Sequence, residues 1–221
     1  MTNRHFACRR RRLGITSLLC ALLLGGAGVT AMAIEVPEYR VLESDGAFEL
    51  REYSAYLIAE TEVESGFMNA GNVAFGRLFR YISGANVSET RIAMTAPVEQ
   101  VDTSGERIAM TAPVEQVKSG NLYRVGFIVP RKYSLETVPK PLDSRIRIRA
   151  VEPRRVAVWR YSGRWTENNF LEHERLLRDA LRARALPVAD TVPAIIARYD
   201  APFMPWFMRR NEVHISLTSS P

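Results

Sequence analysis

The decapeptide RIAMTAPVEQ occurs twice, at residues 91–100 and 107–116, with only VDTSGE between the copies. In the first copy Ile92, Met94, Ala96 and Val98 alternate with Arg91, Thr95 and Glu99, and the second copy repeats the pattern. Successive side chains on a strand point to opposite faces, so period-two alternation marks strands with one apolar face. The Thr-Ser-Gly turn between the copies predicts that they pair as an antiparallel hairpin. Pro97 and Pro113 cannot donate to a ladder and belong at a bulge or on an edge. A chain built this way is committed to an antiparallel sheet in its middle third.

The N-terminus follows a different rule. Arg9–Arg12 form a basic stretch, Leu18–Leu24 an apolar one, and Ala31-Met32-Ala33 a small-x-small site. That layout predicts an export signal over 1–33, cut after Ala33, with an uncleaved membrane anchor as the alternative. The segment holds five arginines and no acid, so residues 34–221 carry 25 basic against 24 acidic side chains. The basic character of the whole chain therefore belongs to the leader, and no field suited to nucleic acid is left. Both cysteines, Cys8 and Cys20, lie there too, which excludes disulfides and thiolate chemistry from 34–221. Only His173 and His214 remain as histidines, too few for a multi-histidine metal site.

Residues 34–221 are enough for one domain with a core. Strands are predicted over 39–42 and 48–63, the second with a bulge, and a helix over 68–82 with Phe75, Leu78, Phe79 and Ile82 as its inner stripe. The repeat hairpin and a strand over 122–129 follow, then a proline-rich connection over 130–143. Strands around 146–150 and 155–161 lead into a second helix from an N-cap at Thr166 to about Ala185, with Phe170, His173, Leu177 and Leu181 inward. Closing strands are predicted over 195–199 and 212–217. The order strand, Ser-Gly, helix, strand, strand thus occurs twice, which predicts a pseudo-two-fold α+β domain.

Several of these segments resemble the SOUL family of haem-binding proteins: RIAMTAPV in both copies, FRYISGAN at 79–86, FIVPRKYSLETVPKPLDSRIRI, VAVWRYSG, and RYDAPFMPWFMRRNEVHISL near the end. In that order they span nearly all of 34–221. The resemblance implies a distorted antiparallel β-barrel flanked by two helices, similar to the gyrase-inhibitor-like effector-binding fold of multidrug-sensing proteins. It further implies non-covalent binding of haem or another tetrapyrrole in an apolar cleft formed by the first helix and a late loop.

A porphyrin requires a flat apolar slot, cations for its propionates and, optionally, an axial ligand. With the cleft placed by the resemblance, the first helix offers Phe75, Leu78, Phe79 and Ile82, with Arg77 and Arg80 as cations. Helical period alone would equally make the four apolar residues ordinary core. The late loop offers Phe203, Met204, Trp206, Phe207 and Met208 beside Arg209 and Arg210. Five large apolar side chains in a loop read as a lid, a cleft wall or a membrane contact. Candidate axial ligands are His214, His173, Met94 and Met110, each of which also has an ordinary packing or hydrogen-bonding role open to it. His214 stands where the family pattern is aromatic. Glu99, Glu115, Tyr53, Tyr56 and Glu60 are the residues an enzyme would draw on, but no nucleophile–base order, metal cluster or phosphate loop accompanies them. The expectation is an exported, monomeric tetrapyrrole carrier, scavenger or buffer, without enzymatic or redox chemistry, periplasmic or tethered to the inner membrane. The alternatives are a pocket for other hydrophobic small molecules, a small-molecule hydrolase, and a membrane-surface protein acting through 201–210 or the N-terminal segment.

Overall fold

Alternating apolar and polar side chains make most of this chain strand, and two 3.6-period stretches interrupt it. The computed structural model describes residues 34–88, 105–186, 188, 189 and 191–217. In chain order the elements are β1 (Tyr39–Asp45), β2 (Phe48–Tyr53), β3 (Tyr56–Val63), α1 (Phe67–Ile82), β4 (Asn86–Val87), β5 (Val114–Ser119) and β6 (Leu122–Ile128). They continue with β7 (Lys140–Pro141), β8 (Ile146–Val151), β9 (Arg154–Tyr161), α2 (Glu167–Ala183), β10 (Ile195–Arg198) and β11 (Asn211–Ser216). By contacts Met1–Met32 separates from Ala33–Pro221, and the second unit carries all of these elements.

Nine strands form one antiparallel sheet in the order β1-β2-β9-β11-β10-β5-β6-β3-β8, while β4 and β7 make a small separate ribbon. Setting β1 aside, exchanging β2 with β8, β3 with β9, β5 with β10 and β6 with β11 reverses the remaining order onto itself. The predicted internal two-fold is therefore real, and its axis passes between β5 and β10, where Gln116 faces Ile196. The helices obey it: α1 packs on β3 and β6, α2 on their counterparts β9 and β11. The sheet curls into a half-barrel, and the expected α+β class holds.

Two local expectations fail. The stretch 48–63 is not one bulged strand: it breaks at Ser54-Ala55, sending β2 to pair with β9 and β3 to pair with β6 and β8. Nor does the second decapeptide pair with the first along β5, because both edges of β5 are taken by β6 and β10. The hairpin forms one step later, through Gly120 at φ +62°, a conformation glycine adopts without a Cβ penalty. The first decapeptide, with Met94 and Glu99, lies outside the described residues.

The two faces of the sheet are unlike. Val125, Phe127, Ile196, Val213 and Ile215 point toward the helices and meet Phe67, Ala74, Leu78, Phe170 and Leu177 in the main core. The other face carries a small apolar cluster around Tyr53, Ile58 and Val158 and, beside it, buried ions. Arg51 and Glu212, both wholly buried, pair through bonds of 2.8 and 3.0 Å. Glu212 also accepts from Tyr199 at 2.7 Å and Arg210 at 2.8 Å, and lies 2.8 Å from His214 Nε2. Burial pushes the Glu212 carboxyl up, but bonds from His214 and Arg51 outweigh it and hold the group well below the usual glutamate value of 4.5.

A buried charge that loses its partner is costly. Glu212→Gln is therefore expected to destabilise the fold by about 3 kcal/mol or more in urea denaturation at neutral pH. Because the folded carboxyl titrates lower than the unfolded one, its contribution is complete above about pH 4.5 and lost as pH falls. The gap between wild type and variant should accordingly shrink on acidification.

Candidate ligand cleft

The cleft is assembled by three hydrogen bonds, two between backbones and one from a side chain. Ile108 N–H donates to Ile82 O at 2.8 Å, docking the second decapeptide on the end of α1. Ala112 N–H donates to Glu35 O at 2.9 Å, which lays the segment from Ile34 alongside it. Thr111 Oγ1 donates to Ile128 O and fixes the same stretch to β6. Between these segments, α1 and the chain after β10 lies a cavity of about 390 Å³. Its apolar wall includes Ile34, Phe75, Met110, Val114, Trp165 and Phe203. The volume falls within the range of small-molecule sites.

One cation faces this wall. Arg198, the last residue of β10, shares the helix-side face with Ile196, and its guanidinium lines the cavity. Its Nε and Nη2 are shut off from solvent and have no hydrogen-bond partner among the described residues. Phe67 and Trp165 offer it ring faces at 5.7 and 5.2 Å, a partial substitute for water. Burial pushes its pKa down to about 10. Gly71 makes the access possible. A Cβ there would lie 2.9 Å from Arg198 Nη1 and 3.1 Å from Gln116 Oε1, another buried atom without a partner.

The two-fold supplies a comparison. At the opposite end of the β5–β10 pair, α2 covers a second cavity of about 460 Å³, and Lys118 occupies the position equivalent to Arg198. There Lys118 is exposed, and the arginine at the wall, Arg178, is satisfied by Glu174 at 2.8 Å and Val192 O at 2.9 Å. The same frame therefore yields two clefts, and the first holds a desolvated cation beside an apolar wall.

Of the residues expected to hold a ligand, Phe75 and Phe203 line the cavity. Leu78 and Ile82 do not: they are buried in the main core. Phe79 is 47% exposed and stacks on Phe75 at 5.9 Å, outside the lining. Arg77 turns away to Thr61 Oγ1 and Glu62 O, and Arg80 is exposed beyond the lining. Met204, Trp206 and Phe207 belong to the loop that continues from Phe203 but lie beyond the wall. The two loop arginines are committed elsewhere. Arg209 donates to Met204 O and Pro202 O and stacks on Trp165 at 4.3 Å. Arg210 pairs with Glu212 and covers Tyr199 at 4.1 Å.

The axial candidates separate as sharply. His214 points to the face turned from the helices and is bonded to Glu212, so the sheet itself stands between it and the cavity. His173 stacks on Tyr161 at 4.0 Å, with Nδ1 2.6 Å from Asn169 O. Met110 lines the cavity, and Met94 lies outside the described residues. The acids considered for catalysis also sit on the far face: Glu115 accepts from Tyr56 at 3.0 Å and Glu60 from Arg149 at 3.0 Å. Burial pushes the nearby Tyr53 hydroxyl up to about 12 and Tyr56 further.

Known proteins are similar to this chain over most of its length. The family model described as SOUL heme-binding protein covers residues 34–216. Heme-binding protein 1 of Xenopus tropicalis is 30% identical over 173 residues, 77% of this chain and 84% of that protein. Heme-binding protein 2 of Homo sapiens is 26% identical over 196 residues, 86% and 90% of the two chains. Among solved structures, the EcmrR C-terminal domain superposes with a TM-score of 0.55 at 8% identity, over 82% of this chain and 99% of that one. At that identity the likeness concerns the fold.

Replacing an unpaired buried charge by an apolar side chain of similar length removes a desolvation cost. Arg198→Met is expected to raise stability by roughly 1–3 kcal/mol, measured as a higher urea midpoint with an unchanged slope.

Proposed function

We propose a function that proceeds from one premise: the chain belongs to the SOUL heme-binding protein family. The protein binds haem or a related tetrapyrrole non-covalently in the 390 Å³ cavity between α1 and the chain after β10. The observation that carries this reading is Arg198, whose guanidinium lies at an apolar wall with Nε and Nη2 lacking a hydrogen-bond partner among the described residues. A tetrapyrrole acid has both halves of the match, a flat apolar body for Phe75, Trp165 and Phe203 and a carboxylate for the cation. Apolar burial supplies most of the affinity, and the charge-assisted bond fixes orientation and restores the solvation Arg198 lost.

The ligand is cargo rather than a redox centre in this reading. Among the described residues, neither His173 nor His214 reaches the cavity wall, and Met110 lines it. A carrier, scavenger or buffer needs saturable, reversible binding and no paired axial ligands. We further propose that residues 1–33 direct export, which would put this activity outside the cytoplasm.

Titration of haemin and iron-free protoporphyrin into residues 34–221, followed by Soret absorbance and tryptophan quenching, tests the reading. Saturable one-to-one binding is expected for both. Arg198→Met should weaken each by about ten- to a hundredfold, the worth of a hydrogen bond to a charged group. It should leave the dimethyl ester of protoporphyrin, which has no carboxylate, unaffected. Non-saturating uptake, or equal loss for acid and ester, would contradict the assignment.

A further inference from the structure

Phe203, Trp206, Phe207 and Met208 are 87%, 48%, 60% and 62% exposed, in a loop of six residues that begins at the cavity wall. Exposed apolar side chains are common singly, but four together at the mouth of a cavity are not. Nor is this a slack segment that happens to point outward. Arg209 ties the loop across its base to Met204 O at 2.8 Å and Pro202 O at 2.6 Å. Gly163 N–H holds Trp206 O at 3.1 Å, and a short helical turn spans Trp206–Met208. These bonds hold the loop in a shape that leaves its apolar tips in water.

Two further features surround the same mouth. Ile34 and Met110, both exposed, continue the apolar rim on its other side. Ile34 is also where the chain arrives from Leu13–Ala33, its most apolar stretch. Arg164, exposed and 5.5 Å over the Trp206 ring, adds a cation next to the aromatic tip. Aromatic side chains with a basic neighbour suit the headgroup level of a lipid bilayer, where the ring is amphipathically solvated and the cation meets phosphate. Among the described residues no helix is long and apolar enough to cross a membrane, so contact through this loop would be peripheral.

We infer that the rim formed by Phe203, Trp206, Phe207, Met208, Ile34 and Met110 docks on a lipid bilayer, so that the cavity opens toward the membrane. A hydrophobic ligand then moves between lipid and cavity without crossing bulk water. The docking surface is independent of which ligand the cavity takes.

The test is flotation of residues 34–221, a unit that contains every element of the fold, with vesicles of phosphatidylcholine alone or with phosphatidylglycerol. No tetrapyrrole is present, so failure here leaves the ligand assignment to its own titration. Binding is expected, stronger with the anionic lipid, and the variant Phe203→Ser/Trp206→Ser/Phe207→Ser should lose it by at least about tenfold. All three positions are exposed, so unchanged circular dichroism is expected. Leu135→Ser/Leu142→Ser removes exposed apolar area elsewhere and should float like wild type. Brominated lipid should quench Trp206 emission, read as the difference from Trp206→Phe. Absence of flotation, equal loss in the control variant, or an unquenched Trp206 would overturn the proposal. So would concentration-dependent dimerisation abolished by the same triple variant, which would assign the rim to a second copy.

Discussion

Strict alternation across the central antiparallel pair, β5 with β10, is the constraint on which everything else rests. It lets one sheet present an apolar face to two helices and an ionic face away from them, with no residue serving both. Gln116 and Ile196 lie at its centre, and the two-fold axis passes between them. On the helix side this places Arg198 at one end of the pair and Lys118 at the other. On the far side it buries Arg51 and Glu212 as a pair that each alone would make untenable. The sheet thus carries two unlike chemistries back to back, and the position of the helices decides which of them faces the cleft.

What distinguishes the first cleft is a broken symmetry. Duplication alone would produce two equal grooves between a helix and the β5–β10 pair. In the second groove Arg178 at the wall is matched by Glu174 and a carbonyl, and Lys118 reaches solvent. In the first, small side chains at Ala70, Gly71 and Ala74 let α1 approach closely, and Arg198 is left facing an apolar wall. The cost of desolvating Arg198 is borne by the rest of the fold, and in the proposed function an anionic ligand would return it. That division of stability and function is common where a site must be ready before its ligand arrives.

Much of the architecture could be read from residues. The alternation gave the strands, Thr166 capped α2 as expected by accepting from Asn169 N–H at 3.3 Å, and the repeated strand–helix order revealed the two-fold. The site was less legible. On α1, side-chain size misled: of Phe75, Leu78, Phe79 and Ile82 only Leu78 and Ile82 are buried, and the buried stripe also runs through Phe67, Ala70, Gly71, Ala74 and Tyr81. Small residues score weakly as apolar but mark close approach, and a glycine inside a helix, costing about 1 kcal/mol relative to alanine, was the available signal. Arg198 does not stand out in the sequence, because an arginine at a strand end ordinarily reaches water. Its parity with Ile196 was the clue. Arg209 and Arg210 looked free because adjacency in sequence says nothing of the carbonyls and the buried Glu212 that claim them.

The most direct measurement is the structure of residues 34–221 crystallised with protoporphyrin. The account places a ligand carboxylate within hydrogen-bond distance of the Arg198 guanidinium, with the macrocycle against Phe75 and Trp165. A macrocycle seated elsewhere, with Arg198 still unpaired, would contradict it.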